Sequence, residues 1–159
     1  MRRRLWIVLG FMAAGLAWSA CGRAAELRER SKEHSDRKDY GAALDDIRLA
    51  IAADPRSAWA HYHLGWLLSE TEGCASALPS YDEALRLDPS FWKAYLNRGY
   101  CVLQLERFEE ALTDLSRVVE HAADRGWRLM ALDYRAQCYR MLGRDEDCRR
   151  DQDELERER

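Results

Sequence analysis

One apolar stripe, written three times at a fixed spacing of 34 residues, limits most of what this chain can become. Tyr40, Ala43, Leu44, Ile47, Ala50 and Ile51 fall at i, i+3, i+4, i+7, i+10 and i+11, which is one face of an α-helix. Moved on by 34, the stripe recurs as Cys74, Ala77, Leu78, Tyr81, Ala84 and Leu85; moved on again, it is Phe108, Ala111, Leu112, Leu115, Val118 and Val119. Asp54-Pro55 and Asp88-Pro89 close the first two stripes at the same period, and a proline after a helix stops it. Between the stripes run partner helices: His61, Leu64, Gly65 and Leu68 align with Tyr95, Arg98, Gly99 and Val102, again 34 apart. Each unit is thus a helix, a short turn and a second helix, and no single unit of this size buries its apolar face alone. Gly65 and Gly99 let the following helix come close, and the small Ala77 and Ala111 are expected to meet them there. Pro79 is tolerated only within a first turn, which places the start of its helix near Ser76, a good capping residue.

Composition agrees with a helical globular chain. Apolar residues make up 47% and charged residues 33%, while three prolines and nine glycines are too few for a turn-rich β fold. The net charge is −3, but three of the basic residues, Arg2, Arg3 and Arg4, open the chain; beyond them 22 basic residues face 28 acidic ones. Acids and bases are interleaved, so the concentrated cationic surface that nucleic acid requires is missing, and no nucleic-acid partner is expected.

The helix–turn–helix unit resembles the tetratricopeptide repeat. The family pattern of a Leu-Gly pair, an Ala, an aromatic, an Ala and a Pro is met by Leu64-Gly65, Ala77, Tyr81, Ala84 and Pro89. The first unit keeps Ala43, Ala50 and Pro55 but carries Arg30-Ser31 in place of Leu-Gly; the third has Arg98 before Gly99 and Ala123 in place of the closing proline. A fourth unit continues as Leu132, Ala136 and Tyr139 at an offset of 37, so three extra residues sit near His121–Gly126, and Gly143 marks its turn. Its second stripe, Asp145, Cys148, Arg149, Gln152, Leu155 and Glu156, is largely polar, as suits a helix with an uncovered outer face. The resemblance implies an all-α, right-handed α-solenoid of about three and a half to four units, near 24–57, 58–91, 92–128 and 129–159, with a polar C-terminal cap helix.

In this family the first helices of successive units line a concave surface. By resemblance that surface takes Trp59, Tyr62, His63, Trp66 and Glu70 from the second unit, Lys93, Asn97, Tyr100 and Gln104 from the third, and Met130, Asp133, Tyr134 and Gln137 from the fourth. Trp59, Tyr62 and Trp66 fall on a helical face that Leu64, Gly65 and Leu68 do not use. Exposed aromatics beside hydrogen-bonding groups suit an extended peptide or a partner helix; the competing reading packs some of them against the first unit. Some co-chaperone members clamp a terminal carboxylate with Lys and Asn; Lys93 and Asn97 match part of that clamp, but His63 stands where a second Asn is needed.

Nothing in the pattern points to catalysis, a metal, a cofactor or a small-molecule substrate. His61 and His63 are two apart on a helix and face different ways, with His63 outward, whereas metal-ligand pairs need three or four. No glycine-rich phosphate loop or nucleophile elbow occurs, and the pairs Asp45-Asp46 and Glu109-Glu110 read as solvated helix faces. Cys74, Cys101, Cys138 and Cys148 contain no CxxC spacing. The stacking that the resemblance implies favours Cys74 with Cys101 and Cys138 with Cys148 as disulfides; the other reading is four buried thiols acting as small hydrophobes.

Residues 1–21, MRRRLWIVLGFMAAGLAWSAC, have the layout of an export leader ahead of a repeat domain at 22–159: a cationic start, a short apolar core and small residues before Cys21. Trp18-Ser19-Ala20-Cys21 resembles a bacterial lipoprotein signal, with Trp18 departing from the usual Leu. That resemblance implies lipidation of Cys21, and Gly22 after it implies sorting to an outer membrane with the domain facing the periplasm. Cleavage to a soluble secreted form stays open. So does an uncleaved anchor, although Leu5–Ala20 falls short of the roughly 20 residues a spanning helix needs. The arginines remain cytoplasmic under the anchored readings, which places the rest outside. The combined expectation is a non-catalytic scaffold of the cell envelope, tethered to a membrane and holding a protein or peptide in its groove. The alternative is a structural or regulatory subunit that docks through its convex face.

Overall fold

Each helix pair closes on itself through local signals that repeat along the chain. The structure is a computed structural model and describes residues 22–158; the leader, with Cys21, lies outside the described residues. Among the described residues all regular structure is helical: α1 (22–36), α2 (Tyr40–Ala53), α3 (Ala58–Thr71), α4 (Cys74–Leu87), α5 (Trp92–Gln104), α6 (Phe108–His121), α7 (Arg125–Met141) and α8 (Asp145–Arg157). None of these helices is long and apolar enough to cross a membrane. The chain forms two compact units that part after Ala60.

In three of the four pairs the turn is a left-handed residue that ends the first helix. Lys38 (φ 62°), Glu106 (φ 59°) and Gly143 (φ 70°) occupy equivalent places. Each donates its N–H three residues back while its successor donates five back, as in Glu106 to Leu103 at 2.9 Å and Arg107 to Val102 at 3.1 Å. This is the Schellman arrangement, which satisfies the last carbonyls of a helix. Between pairs, Asp54 and Asp88 end α2 and α4, and their carboxylates accept from the backbone N–H of Arg56 (3.2 Å) and Ser90 (2.9 Å) around the intervening proline. The third junction lacks proline, and Asp124 there caps α7 by accepting from Trp127 N–H at 3.0 Å. The three extra residues lengthen α7, which begins at Arg125 rather than at the expected 129.

The first unit has a core of Ala24, Leu27, Ala43, Ile47 and Ala50. Ser31, where the family pattern has Gly, donates its hydroxyl to the Ala43 carbonyl at 2.8 Å, so α1 and α2 meet through a buried hydrogen bond. In the second unit α4 packs on α5, α5 on α6, α6 on α7 and α7 on α8, with α5 also touching α7. Leu85, Tyr95, Leu96, Val102, Leu112, Leu115 and Val118 form its main core.

Several expectations are corrected by this packing. A Cβ on Gly65 would lie 2.8 Å from the Tyr81 ring, and one on Gly99 would lie 3.0 Å from Leu115; the small residues face large side chains of the following helix, not Ala77 and Ala111. Helix α4 starts at Cys74 with Gly73 before it, so Ser76 is not its cap and Pro79 lies inside the helix. Pro79 and Ala75, whose carbonyl the missing N–H would have met, are both exposed, so that carbonyl is not left unpaired in the core. Asp46 is buried rather than solvated, because Arg30 holds it through Nε at 2.8 Å and through Nη2. In α8 the buried stripe is Cys148, Asp151 and Leu155, with the remaining face polar and exposed.

Candidate partner-binding face

The first helices α3, α5 and α7 carry the residues singled out from sequence, and they fall into two groups. One group is built into the fold. Trp59, in the first unit, is half-buried with the Arg28 guanidinium 5.9 Å over its ring, and Arg28 also donates to Ser57 Oγ at 3.1 Å. Tyr62 packs its ring on Phe91 at 4.9 Å and accepts a hydrogen bond from Asn97 Nδ2 at 3.3 Å; burial raises its phenol pKa above the ordinary value. His63 does not look outward. It is 6% exposed and stacks on Trp66, the ring centroids 5.7 Å apart and the planes within 9° of parallel. The reason is that α3 is apolar around most of its circumference: Leu67, one turn beyond His63, is fully buried, while Leu64 and Leu68 are only half-buried. A carboxylate clamp through position 63 is therefore closed off.

The second group is open. Tyr100 of α5 is exposed and meets Tyr134 of α7 in a tilted ring pair 5.1 Å apart. Burial, then the neighbouring Tyr100 and Asp133, push the Tyr134 phenol pKa up, which keeps its hydroxyl neutral. Gln137 donates to Asp133 at 2.9 Å along the same helix, which fixes the amide and leaves its carbonyl for a ligand. Lys93, at the start of α5, holds its ammonium 4.8 Å over the Trp127 ring. Trp127 escaped the sequence reading because it sits beside the three-residue insertion; its approach to Lys93 follows from the extra turn at the start of α7.

Two recesses involve these helices, one of them taking in Tyr134. One, of about 320 Å³, is lined by Leu129, Met130, Asp133, Tyr134 and Leu155. The other, of about 300 Å³, is of mixed character, lined by Leu103, Phe108 and Met141 together with Gln104, Glu106, Gln137 and Arg140. A larger and more polar hollow, about 590 Å³, lies against α6 and takes in Arg117, Glu120, His121, Tyr139 and Arg144. Arg144 there is engaged by Asp147 at 2.7 Å and by the Tyr139 ring at 4.6 Å. We place the candidate face on α5 and α7, because among the described residues exposed aromatics, amides and recesses coincide there.

Cys74, Cys101, Cys138 and Cys148 are thiols in this structure, so the bridges expected from sequence are not formed in it. Cys74 nevertheless packs against the small buried cluster that holds Cys101. Cys138 and Cys148 are each buried, and burial pushes the Cys138 thiol up to about 11.

The tetratricopeptide repeat family profile matches residues 62–126. Protein FlbA of Caulobacter vibrioides is 35% identical over 91 residues, covering 57% of this chain and 14% of that protein. The chain thus spans a small part of the curated relatives it matches. Among solved structures, Pseudomonas aeruginosa pilF superposes with a TM-score of 0.78 at 18% identity, over 88% of this chain and 63% of that one. The first TPR of Spaghetti (RPAP3), bound to the HSP90 peptide SRMEEVD, gives 0.71 at 23% identity, over 77% of this chain and 95% of that one. With the repeat period, the helix pairing and these likenesses in agreement, the chain has the all-α fold of tetratricopeptide repeat proteins, and residues 62–126 carry the family's own pattern.

Proposed function

We propose that this chain is a non-catalytic scaffold that holds an extended segment of a partner protein across α5 and α7, outside the cytoplasmic membrane and tethered there through lipidated Cys21. The observation that carries the binding reading is the exposed Tyr100–Tyr134 pair, with Tyr134 in the wall of one recess and Gln104 and Gln137 in the wall of another. Rigid aromatic surface loses little side-chain entropy on binding, and an apolar residue of the partner can fill each recess. The amides of Asn97, Gln104 and Gln137 suit the peptide groups between those residues. A structure of similar fold holds a peptide, which supports the mode of binding and not the identity of the ligand. The partner's terminal carboxylate is not the determinant here, since His63 is buried.

The membrane part rests on the leader: three arginines, an apolar core and Ser19-Ala20-Cys21 before Gly22. Several acyl chains, each contributing about 0.8 kcal/mol per buried CH₂, make a stable tether.

A photocrosslinking amino acid placed at Tyr100, and separately at Arg117 on α6, tests the binding face in native membranes. Adducts at position 100 alone support the proposal; adducts at position 117 alone transfer the function to the α6 side. Radiolabelled palmitate incorporated by the wild type and lost in Cys21→Ser supports the tether, and unchanged labelling refutes it.

A further inference from the structure

We propose that Cys74 and Cys101 are a disulfide-forming pair that ties the first turn of α4 to the last turn of α5. Of the three ways in which the four described cysteines can pair, one joins two that share a packed cluster. Cys101 is buried in a small cluster with Ala77 and Tyr81, and Cys74, the first residue of α4, packs against that same cluster. Cys138 and Cys148 are both buried, but Cys138 belongs to the main core cluster and Cys148 does not.

The surroundings exclude the other uses of adjacent cysteines. Leu68, Leu78 and Tyr62 complete the walls, and the nearest charge acting on Cys101 is the carboxylate of Glu70. No cation favours a thiolate there, so a catalytic nucleophile is not supported. Among the described residues no group of three metal-ligating side chains gathers anywhere, so the pair lacks the further ligands a metal needs. Oxidation to a disulfide needs neither.

The chemistry balances with a low-molecular-weight disulfide as oxidant. Cys74, the more accessible sulfur, attacks one sulfur of the oxidant as thiolate and expels a thiolate, leaving a mixed disulfide on Cys74. Cys101 then gives up its proton to solvent and attacks Cys74 Sγ, expelling the second thiol. Two protein thiols become one disulfide, and the oxidant gains two electrons and two protons. Burial pushes the Cys101 thiol pKa well above the ordinary thiol value, so the second step is slow in the folded protein and is helped by transient opening of α4's first turn.

The test uses the full chain in glutathione buffers from fully reduced to fully oxidised, followed by unfolding, alkylation and trypsin without reduction. Arg86, Lys93 and Arg98 lie between the two cysteines, so the bridge joins peptide 57–86 to peptide 99–107, while Cys138 and Cys148 fall on separate alkylated peptides. The expected result is that linked pair, with a glutathione adduct on Cys74 accumulating in Cys101→Ser and a urea midpoint that rises on oxidation of the wild type and stays fixed in Cys74→Ser. Four alkylated thiols in the most oxidising buffer, a Cys138–Cys148 bridge, or a glutathione adduct on wild-type Cys74 that never resolves would each overturn the proposal.

Discussion

Arg98 grips Asp114, sixteen residues on, through two parallel hydrogen bonds of 2.7 Å, Nε to Oδ2 and Nη2 to Oδ1. Its remaining Nη1 reaches Asp82 at 2.6 Å. The same fork joins Arg30 to Asp46 and Arg135 to Asp151, always with a separation of sixteen. In the second repeat the equivalent positions are Leu64 and Ser80, so one scaffold accepts either an ion pair or an uncharged pair at this contact.

That alternative yields a double-mutant prediction. Asp114→Ser alone strands a partly buried guanidinium and should cost about 2–4 kcal/mol, at or below the usual range because Arg98 keeps Asp82 and some water. Arg98→Leu with Asp114→Ser reproduces the second repeat's pair and should return stability to within about 1 kcal/mol of wild type, or above it. Urea denaturation of the four proteins of the cycle decides it; additive losses would contradict the pairing.

The clasp in the first unit should show itself in acid. The hydrogen bonds from Arg30 hold the Asp46 carboxyl below the usual carboxylate range, outweighing the opposite effect of burial. A depressed folded pKa means the contribution is complete above the unfolded value, about 4, and is lost as pH falls through the folded value. The melting-temperature gap between wild type and Asp46→Asn should hold steady from neutral pH to about 5 and shrink below about 4. A gap that widens in acid would reverse the assignment.

Lys38 and Glu106 pay steric strain at positive φ where Gly143 does not. Lys38→Gly and Glu106→Gly should each stabilise by about 0.5–1 kcal/mol after glycine's greater unfolded-state entropy is deducted, while Gly143→Ala loses about 1 kcal/mol. Chemical denaturation measures all three, and a loss at Lys38 or Glu106 would show that the side chain has a use outside the turn.

The period, the hairpins and the polar last helix were legible in the sequence because each is set by spacing and by breakers such as Pro55, Pro89 and Gly143. What escaped was anything decided by a partner far along the chain. Arg30 and Arg98 read as departures from the family's Leu, although an Asp sixteen residues after each was there to explain them. Asp46 read as solvated because its neighbour Asp45 is. His63 read as exposed because helical spacing gives one apolar stripe, and α3 buries more than one face. The open part of the site shifted accordingly, from Trp59 and Trp66 to Tyr100 and Tyr134. Those two stand 34 residues apart, one repeat period apart by number, and the structure turns them into a ring pair.

This shift separates a structural aromatic from a binding one. Trp66 stacks on buried His63, so Trp66→Ala should lower stability by about 2–4 kcal/mol through lost packing and weaken partner capture only as a consequence. Tyr100 is exposed, so Tyr100→Ala should change stability by no more than about 0.5 kcal/mol. If the ring pair is the anchor, the same change should weaken the isolated complex by roughly tenfold or more, the effect of losing one well-placed aromatic. Tyr134→Ala should give a similar loss, and the double variant less than the sum, because each ring positions the other. Calorimetry on the crosslinked partner's segment, set beside thermal denaturation of each variant, reads both quantities; full affinity in the double variant would remove the tyrosine pair from the binding face.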